Sequence, residues 1–258
     1  MPRSGLISTL IVIAILVVTI LPVPPTRAQD GLRPPVGGVI SPADAMIFYL
    51  AHGGEGACGP NCSEWIAAEG VVEWDTFKRL FAFAARLGER KVSVILNDWG
   101  DSDLKVAMTL GKIIRDHGLD VSVGKTVVAG CADATEAACF ALKRSGKSLD
   151  AGIDISAVKC DFACVLILAG GVHRTLPADA KVIVGSTHVH DRFAPNVSEE
   201  HQKGLTAFYV EQFRLYLTQM GVAADVAGII DKNAATGHAT QILPAGWLRL
   251  GIVTGPAP

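Results

Sequence analysis

The segment Cys160–Ala169 reads C-D-F-A-C-V-L-I-L-A and stops at Gly170-Gly171. Taken as a helix it is almost wholly apolar, with no face to give to water, so it must be buried and the rest of the chain must cover it. The remaining sequence supplies strand-length apolar runs alternating with helical periods, the pattern of an α/β sheet that is parallel at its centre.

Two early strands fall at Ala45–Ala51 and Ser63–Val72, separated by Gly53–Asn61, which has loop composition. Asp75 is placed to cap a helix in which Phe77, Leu80, Phe81, Ala84 and Leu87 recur at helical spacing, and Gly88 stands where a C-terminal glycine belongs. Lys91–Asn97 contains V-S-V-I-L, a β-branched run suited to a buried parallel strand. The polar turn Asp98–Asp103 leads into a second helix, with Ser102 as its N-cap and Leu104, Ala107, Met108, Gly111 and Ile114 as its inward stripe. Arg115 and His117 lie near the negative end of that helix dipole, and Gly118 closes it. A strand at Asp120–Val123 follows, extended by Val127–Ala129, then a short helix at Ala134–Leu142 and a polar loop around Ser145–Asp150. Beyond the apolar helix come a strand at Val182–Val184, a long helix at Glu199–Met220, a further helix at Ala223–Lys232 and a short terminal one at Gly246–Leu250.

The N-terminus reads as an export signal. Arg3 is the early positive charge, Leu6–Leu21 is apolar but for Ser8, Thr9 and Thr19, and Pro22, Pro24 and Pro25 then break any helix. Thr26-Arg27-Ala28 places small residues three and one positions before a cleavage point, so the expected signal peptide is 1–28 and the expected single domain is 29–258. The alternative is an uncleaved anchor, but the run 6–21 is shorter than the roughly 20 apolar residues of a spanning helix. Membrane contact would then come only through this segment. A net charge of −2 and the lack of any run of like charge give no case for nucleic acid.

Six cysteines fall in three local pairs, Cys58/Cys62, Cys131/Cys139 and Cys160/Cys164. In an exported chain an even count makes disulfides the first reading, without fixing their connectivity. Gaps of C-x₃-C and C-x₇-C differ from the paired C-x₂-C knuckles of a structural zinc site.

Four ordered landmarks carry a resemblance: L-N-D-W-G-D-S-D-L (Leu96–Leu104), G-K-I-I-R (Gly111–Arg115), C-D-F-A-C-V-L-I-L-A-G-G-V-H-R (Cys160–Arg174) and L-P-A-G-W-L-R-L-G-I-V-T (Leu243–Thr254). From about Cys62 to Thr254 the chain resembles the Clp-protease-like periplasmic proteins of the Clp protease/crotonase superfamily. In those relatives the strand-to-helix turn reads L-N-S-P-G-G, the buried helix opens C-x-S-A-C and a later strand ends G-V-H. The resemblance implies a spiral of β-β-α units and a serine nucleophile at the N-terminus of the buried helix. Free helix N–H groups and the glycine-pair turn would hold the oxyanion, and a histidine from the next strand would be the base. It also implies self-association, since superfamily relatives form rings or trimers, and here the helix Glu199–Met220 offers Phe208, Phe213, Leu215 and Tyr216.

This chain departs from that pattern at each working part. Phe162 occupies the serine position, and a phenyl ring has no oxygen to attack with. Spacing to Leu104 and Gly111 puts Asp101-Ser102 on the glycine pair, where a carboxylate would repel a developing oxyanion. An ungapped count from Arg174 puts Gly185 at the base position and leaves His188 three residues late. The expectation is a degenerate, vestigial pocket around Phe162, Asp101, Ser102 and His188, with no catalytic residue, cofactor or metal, used to bind a peptide or protein partner or to assemble with itself.

The rival is a hydrolase with relocated chemistry. His188-Val189-His190-Asp191 puts His188 and His190 on one face of a strand, where His173 or His201 could add a third nitrogen for zinc or copper. The bland reading is a strand end with two solvated imidazoles. Cys164 is a candidate replacement thiol, balanced by the claim of Cys160 to a disulfide with it. Gly124-Lys125-Thr126 lacks the glycine spacing of a phosphate loop, and Asn196-Val197-Ser198 matches a glycosylation sequon that marks a surface loop.

Overall fold

The computed structural model of the chain describes residues 42–185 and 198–255. The segment 1–28, the histidines His188 and His190, Asp191, and Asn196 and Val197 of the sequon lie outside the described residues. In chain order the elements are β1 (Ile47–His52), β2 (Glu64–Gly70), α1 (Thr76–Leu87), β3 (Ser93–Asp98), α2 (Leu104–Asp116), β4 (Val121–Val123), β5 (Lys125–Val128), α3 (Glu136–Lys143), β6 (Leu149–Asp154), β7 (Lys159–Cys160) and α4 (Phe162–Ala169). They continue with β8 (Arg174–Thr175), β9 (Lys181–Val184), α5 (Glu199–Gln219), α6 (Ala224–Thr236), β10 (Thr240–Ile242) and α7 (Pro244–Trp247).

The larger sheet has the order β5-β6-β1-β2-β3-β4-β8 and the smaller one the order β10-β9-β7. β2, β3, β4 and β8 run parallel, whereas β1–β2 and β5–β6 are antiparallel pairs. The architecture is therefore mixed α/β with a parallel centre, as the alternation of patterns predicts.

Strand side chains alternate between two cores. Ile66, Ala68, Val94 and Leu96 enter the larger, which takes in all eight residues of α4 and apolar residues of α1, α2, α5 and α6. Trp65, Ala67 and Ile95 enter the smaller, covered by Phe140 and Leu142 of α3. At the rim of the smaller core, Glu69 is buried between the Tyr49 hydroxyl, which donates to it at 3.2 Å, and Lys143 of α3, which forms an ion pair with it. That pair fastens α3 to the sheet.

α4 packs on α2 at unusually short range. A Cβ on Gly111 would lie 1.8 Å from Tyr216 Oη and 2.8 Å from Leu166 O, and one on Gly170 would lie 2.2 Å from Gly111 O. The glycines therefore let two helix backbones meet, and the Tyr216 hydroxyl fills the seam by donating to Leu166 O at 2.7 Å.

The C-terminal end of α4 is held by two guanidiniums. Arg115 donates to the carbonyls of Ala169, Gly170, Gly171 and Met220 at 2.8–3.3 Å. Arg174 donates to Ala169 O and Met220 O at 2.9 and 2.7 Å. Cations are favoured at this negative helix end, which offsets their burial. Burial, and then the charge of Arg115, bring Arg174 down to about 10.

Several elements differ from expectation. Asp75 makes no cap hydrogen bond; its Oδ1 accepts from Arg79 at 2.6 Å, one helical turn on. Asp103, not Ser102, caps α2 by accepting from Val106 N, because the Ser102 hydroxyl is engaged elsewhere. Residues 127–129 do not extend β4: β5 turns away at Gly124 and pairs antiparallel with β6 on the far side of the sheet. β6 occupies part of the expected polar loop, its sequence L-D-A-G-I-D alternating a buried or half-buried face with exposed Asp150 and Asp154. α6 runs on to Thr236, α7 starts at Pro244 with proline in its first turn, and the short β10 lies between them.

Candidate functional site

The site built by these elements lies where the C-terminal end of β3 meets the N-terminus of α4. Cys160 ends β7, Asp161 caps α4 by accepting from Cys164 N at 3.3 Å, and Phe162 begins the helix. The Phe162 ring is 5% exposed and meets Phe213 of α5 edge to face, with centroids 5.2 Å apart. The position thus faces the larger core.

Opposite it, the turn after β3 takes positive φ at Gly100 (90°) and at Asp101 (50°). Asp101 therefore adopts a backbone conformation that glycine takes freely, while adding a carboxylate. Ser102 Oγ accepts from Val72 N at 2.8 Å and donates to Asp98 Oδ1 at 2.5 Å, so its hydroxyl ties the turn to the β2–α1 connection and to β3. A Cβ on Gly100 would come within 3.4 Å of Asp161 Oδ2, so the turn passes directly over the helix cap. Asp98 is pushed up to about 7, first by burial and then by the charge of Asp161. Its Oδ2 is buried without a donor among the described residues. Nearby, Glu73 is also raised, by burial and by Asp44, Asp75 and Asp103.

Of the residues expected at the pocket, Phe162 and the Asp101-Ser102 turn are brought to this mouth, Gly185 follows β9 and is half-buried, and His188 is outside the described residues. Asp98 and Asp161 are the members that sequence reasoning passed over. Their signal was a carboxylate on each side of the mouth, in N-D-W-G-D and in C-D-F-A-C.

The other candidates are placed elsewhere. Cys164 is bonded to Cys160, and Cys58–Cys62 and Cys131–Cys139 complete three disulfides that leave no free cysteine. That corrects the reading of Cys164 as a free thiol. His173 Nδ1 contacts Asp120 Oδ1 at 2.9 Å at the N-terminal end of β4 and β8. By the strand register this is roughly 16 Å from the mouth along β3. His201 is exposed in the first turn of α5. An exposed imidazole–hydroxyl contact, His52 Nδ1 to Ser148 Oγ at 3.0 Å, also lies at the far end of the sheet. Among the described residues no group of three His, Cys, Asp or Glu side chains could hold a metal ion.

Three disulfides fit an oxidising environment. No helix among the described residues is long and apolar enough to cross a membrane. No family model matches the chain, and no curated protein matches it. Among solved structures it is similar to a mutant ClpP1 from Listeria monocytogenes, with 10% identity and a TM-score of 0.43 over 70% of this chain and 80% of that one.

Proposed function

We propose that this is an exported protein of Clp-protease/crotonase-like architecture whose serine-peptidase site is degenerate, and that the mouth of α4 serves binding or assembly and not peptide hydrolysis. One observation carries the reading: the helix N-terminus, where a nucleophile would stand, presents the buried Phe162 ring packed on Phe213. The surroundings support it. An oxyanion forming at this mouth would meet Asp98 and Asp161 in place of uncharged donors, and like charge there raises a barrier. Ser102, the hydroxyl of the turn, is engaged with Asp98 and Val72.

Fluorophosphonate labelling of the exported, oxidised protein tests this. Neither the wild type nor Phe162→Ser should label, because among the described residues no imidazole stands at the mouth and its carboxyls would still oppose an oxyanion. Efficient labelling of the wild type overturns the reading, and mapping the adduct to Ser148 would move the chemistry to the His52 contact. The metal-dependent rival is separated by elemental analysis: stoichiometric zinc or copper lost in a His188→Ala, His190→Ala variant would favour a hydrolase.

A further inference from the structure

Two carboxyls at the mouth have a relation that helix capping alone does not require. Asp98 ends β3 and Asp161 caps α4, so they belong to separate parts of the chain and meet only through the fold. Asp98 Oδ1 takes the Ser102 hydroxyl, its Oδ2 is buried without a hydrogen-bond partner among the described residues, and the Asp161 carboxyl stands against the same turn, its Oδ2 3.4 Å from where a Cβ on Gly100 would lie. Two carboxylates in such contact repel, whereas one proton between them turns the same contact into a hydrogen bond.

We infer that Asp98 and Asp161 form a proton-operated latch, which fastens the turn 98–103 to the N-terminus of α4 when a proton is shared and loosens it when that proton leaves. The upward displacement of Asp98 puts the change near neutrality. Further carboxyls stand on the neighbouring elements. Asp101 and Asp103 flank Ser102 in the turn, and Glu73 and Asp75 stand on the β2–α1 connection, whose Val72 N–H donates to Ser102 Oγ. The nearby cations are Arg79, which bonds Asp75, and Lys105, which is exposed on the first turn of α2.

The two sides of the latch differ in stiffness. Asp161 lies inside the Cys160–Cys164 disulfide and at the head of a wholly buried helix, so it is held. The turn holds Gly100 and the half-exposed Trp99, and is anchored through Ser102 and through the backbone bonds of Trp99 N to Gly70 O and Asp103 N to Val72 O. Loss of the proton therefore moves the turn. The latch operates whether or not the mouth is silent in hydrolysis.

Hydrogen exchange of amides 99–103 in the full oxidised protein, from pH 5 to 9, tests it against Asp98→Asn. Asparagine keeps the shape of the protonated acid and can donate to Asp161, so that variant stays latched at every pH. Relative to it, wild-type protection should match at pH 5 and fall by about tenfold or more as pH rises through 7, following one titrating group. Asp161→Asn, which retains a capping oxygen for Cys164 N, should remove the step near 7. Infrared difference spectra of the wild type should show one protonated carboxyl lost over the same interval. An identical pH profile in wild type and Asp98→Asn overturns the latch, as does the absence from the wild type of any carboxyl C=O band titrating above pH 6.

Discussion

Replacing Phe162 by serine restores the atom that a serine peptidase would use, and the structure says it should mainly damage the core. The ring is 5% exposed and packs edge to face on Phe213. Truncating a buried phenylalanine costs about 3–5 kcal/mol, a range that already includes the lost ring pairing of about 0.5–1.5 kcal/mol. A serine hydroxyl left unpaired in that space adds about 1–3 kcal/mol, unless it turns back to a free helix N–H. With the hydroxyl so paired the net loss is about 4 kcal/mol, which for a domain of this size lowers the Tm by about 8–16 °C; unpaired, the loss is larger. Urea unfolding followed by tryptophan fluorescence measures it, with Phe162→Leu as a volume-conserving control expected to cost less than about 1.5 kcal/mol. If Phe162→Ser costs under 1 kcal/mol, a range reserved for surface changes, the ring is not enclosed and the argument for a filled nucleophile position fails.

Stability should also depend on pH in a direction set by Asp98. Its folded value is raised above the ordinary carboxylate range to about 7, so its contribution is fully present below pH 4 and is lost as pH rises through 7, on the order of 2–4 kcal/mol in all. Urea midpoints should fall between pH 5.5 and 8.5 in the wild type and flatten in Asp98→Asn. Lys143→Met leaves the Glu69 carboxylate buried beside the Tyr49 hydroxyl alone, and should cost about 3–5 kcal/mol. Adding Glu69→Gln should recover much of that loss in the same unfolding assay. Gly111→Ala drives a methyl into Tyr216 Oη and Leu166 O and should cost about 1–3 kcal/mol. Combined with Tyr216→Phe, which removes the hydroxyl, it should lose less than the sum of the two single changes.

Periodicity revealed most of this architecture. The β-branched run in β3 and the apolar α4 state which faces are buried and form as expected; α1 forms where the stripe from Phe77 to Leu87 places it, but Phe81 of that stripe is exposed and Phe83 is buried instead. β6 was hidden because its outward residues are aspartates and glycine, a composition that also describes a loop, and its pairing with β1 and β5 is long-range. The cap of α2 was misplaced by one residue because Ser102 and Asp103 are both good capping types, and only the position of Val72 decides which is free to cap. The even number of cysteines pointed to disulfides, whereas their connectivity, each cysteine to its near neighbour, came only from the fold. The meeting of the Asp98 turn with Asp161 was not legible, because nothing in either local sequence records that β3 ends where α4 begins.

The guanidinium clamp at the far end of α4 has a consequence for how this chain tolerates change. Every acceptor that Arg115 and Arg174 use there is a main-chain oxygen. Such oxygens persist whatever side chain the position carries, so Ala169 and Met220 can vary in identity without untying the knot. The two arginines have no such latitude: a lysine, with a single nitrogen, reaches fewer of those carbonyls at once.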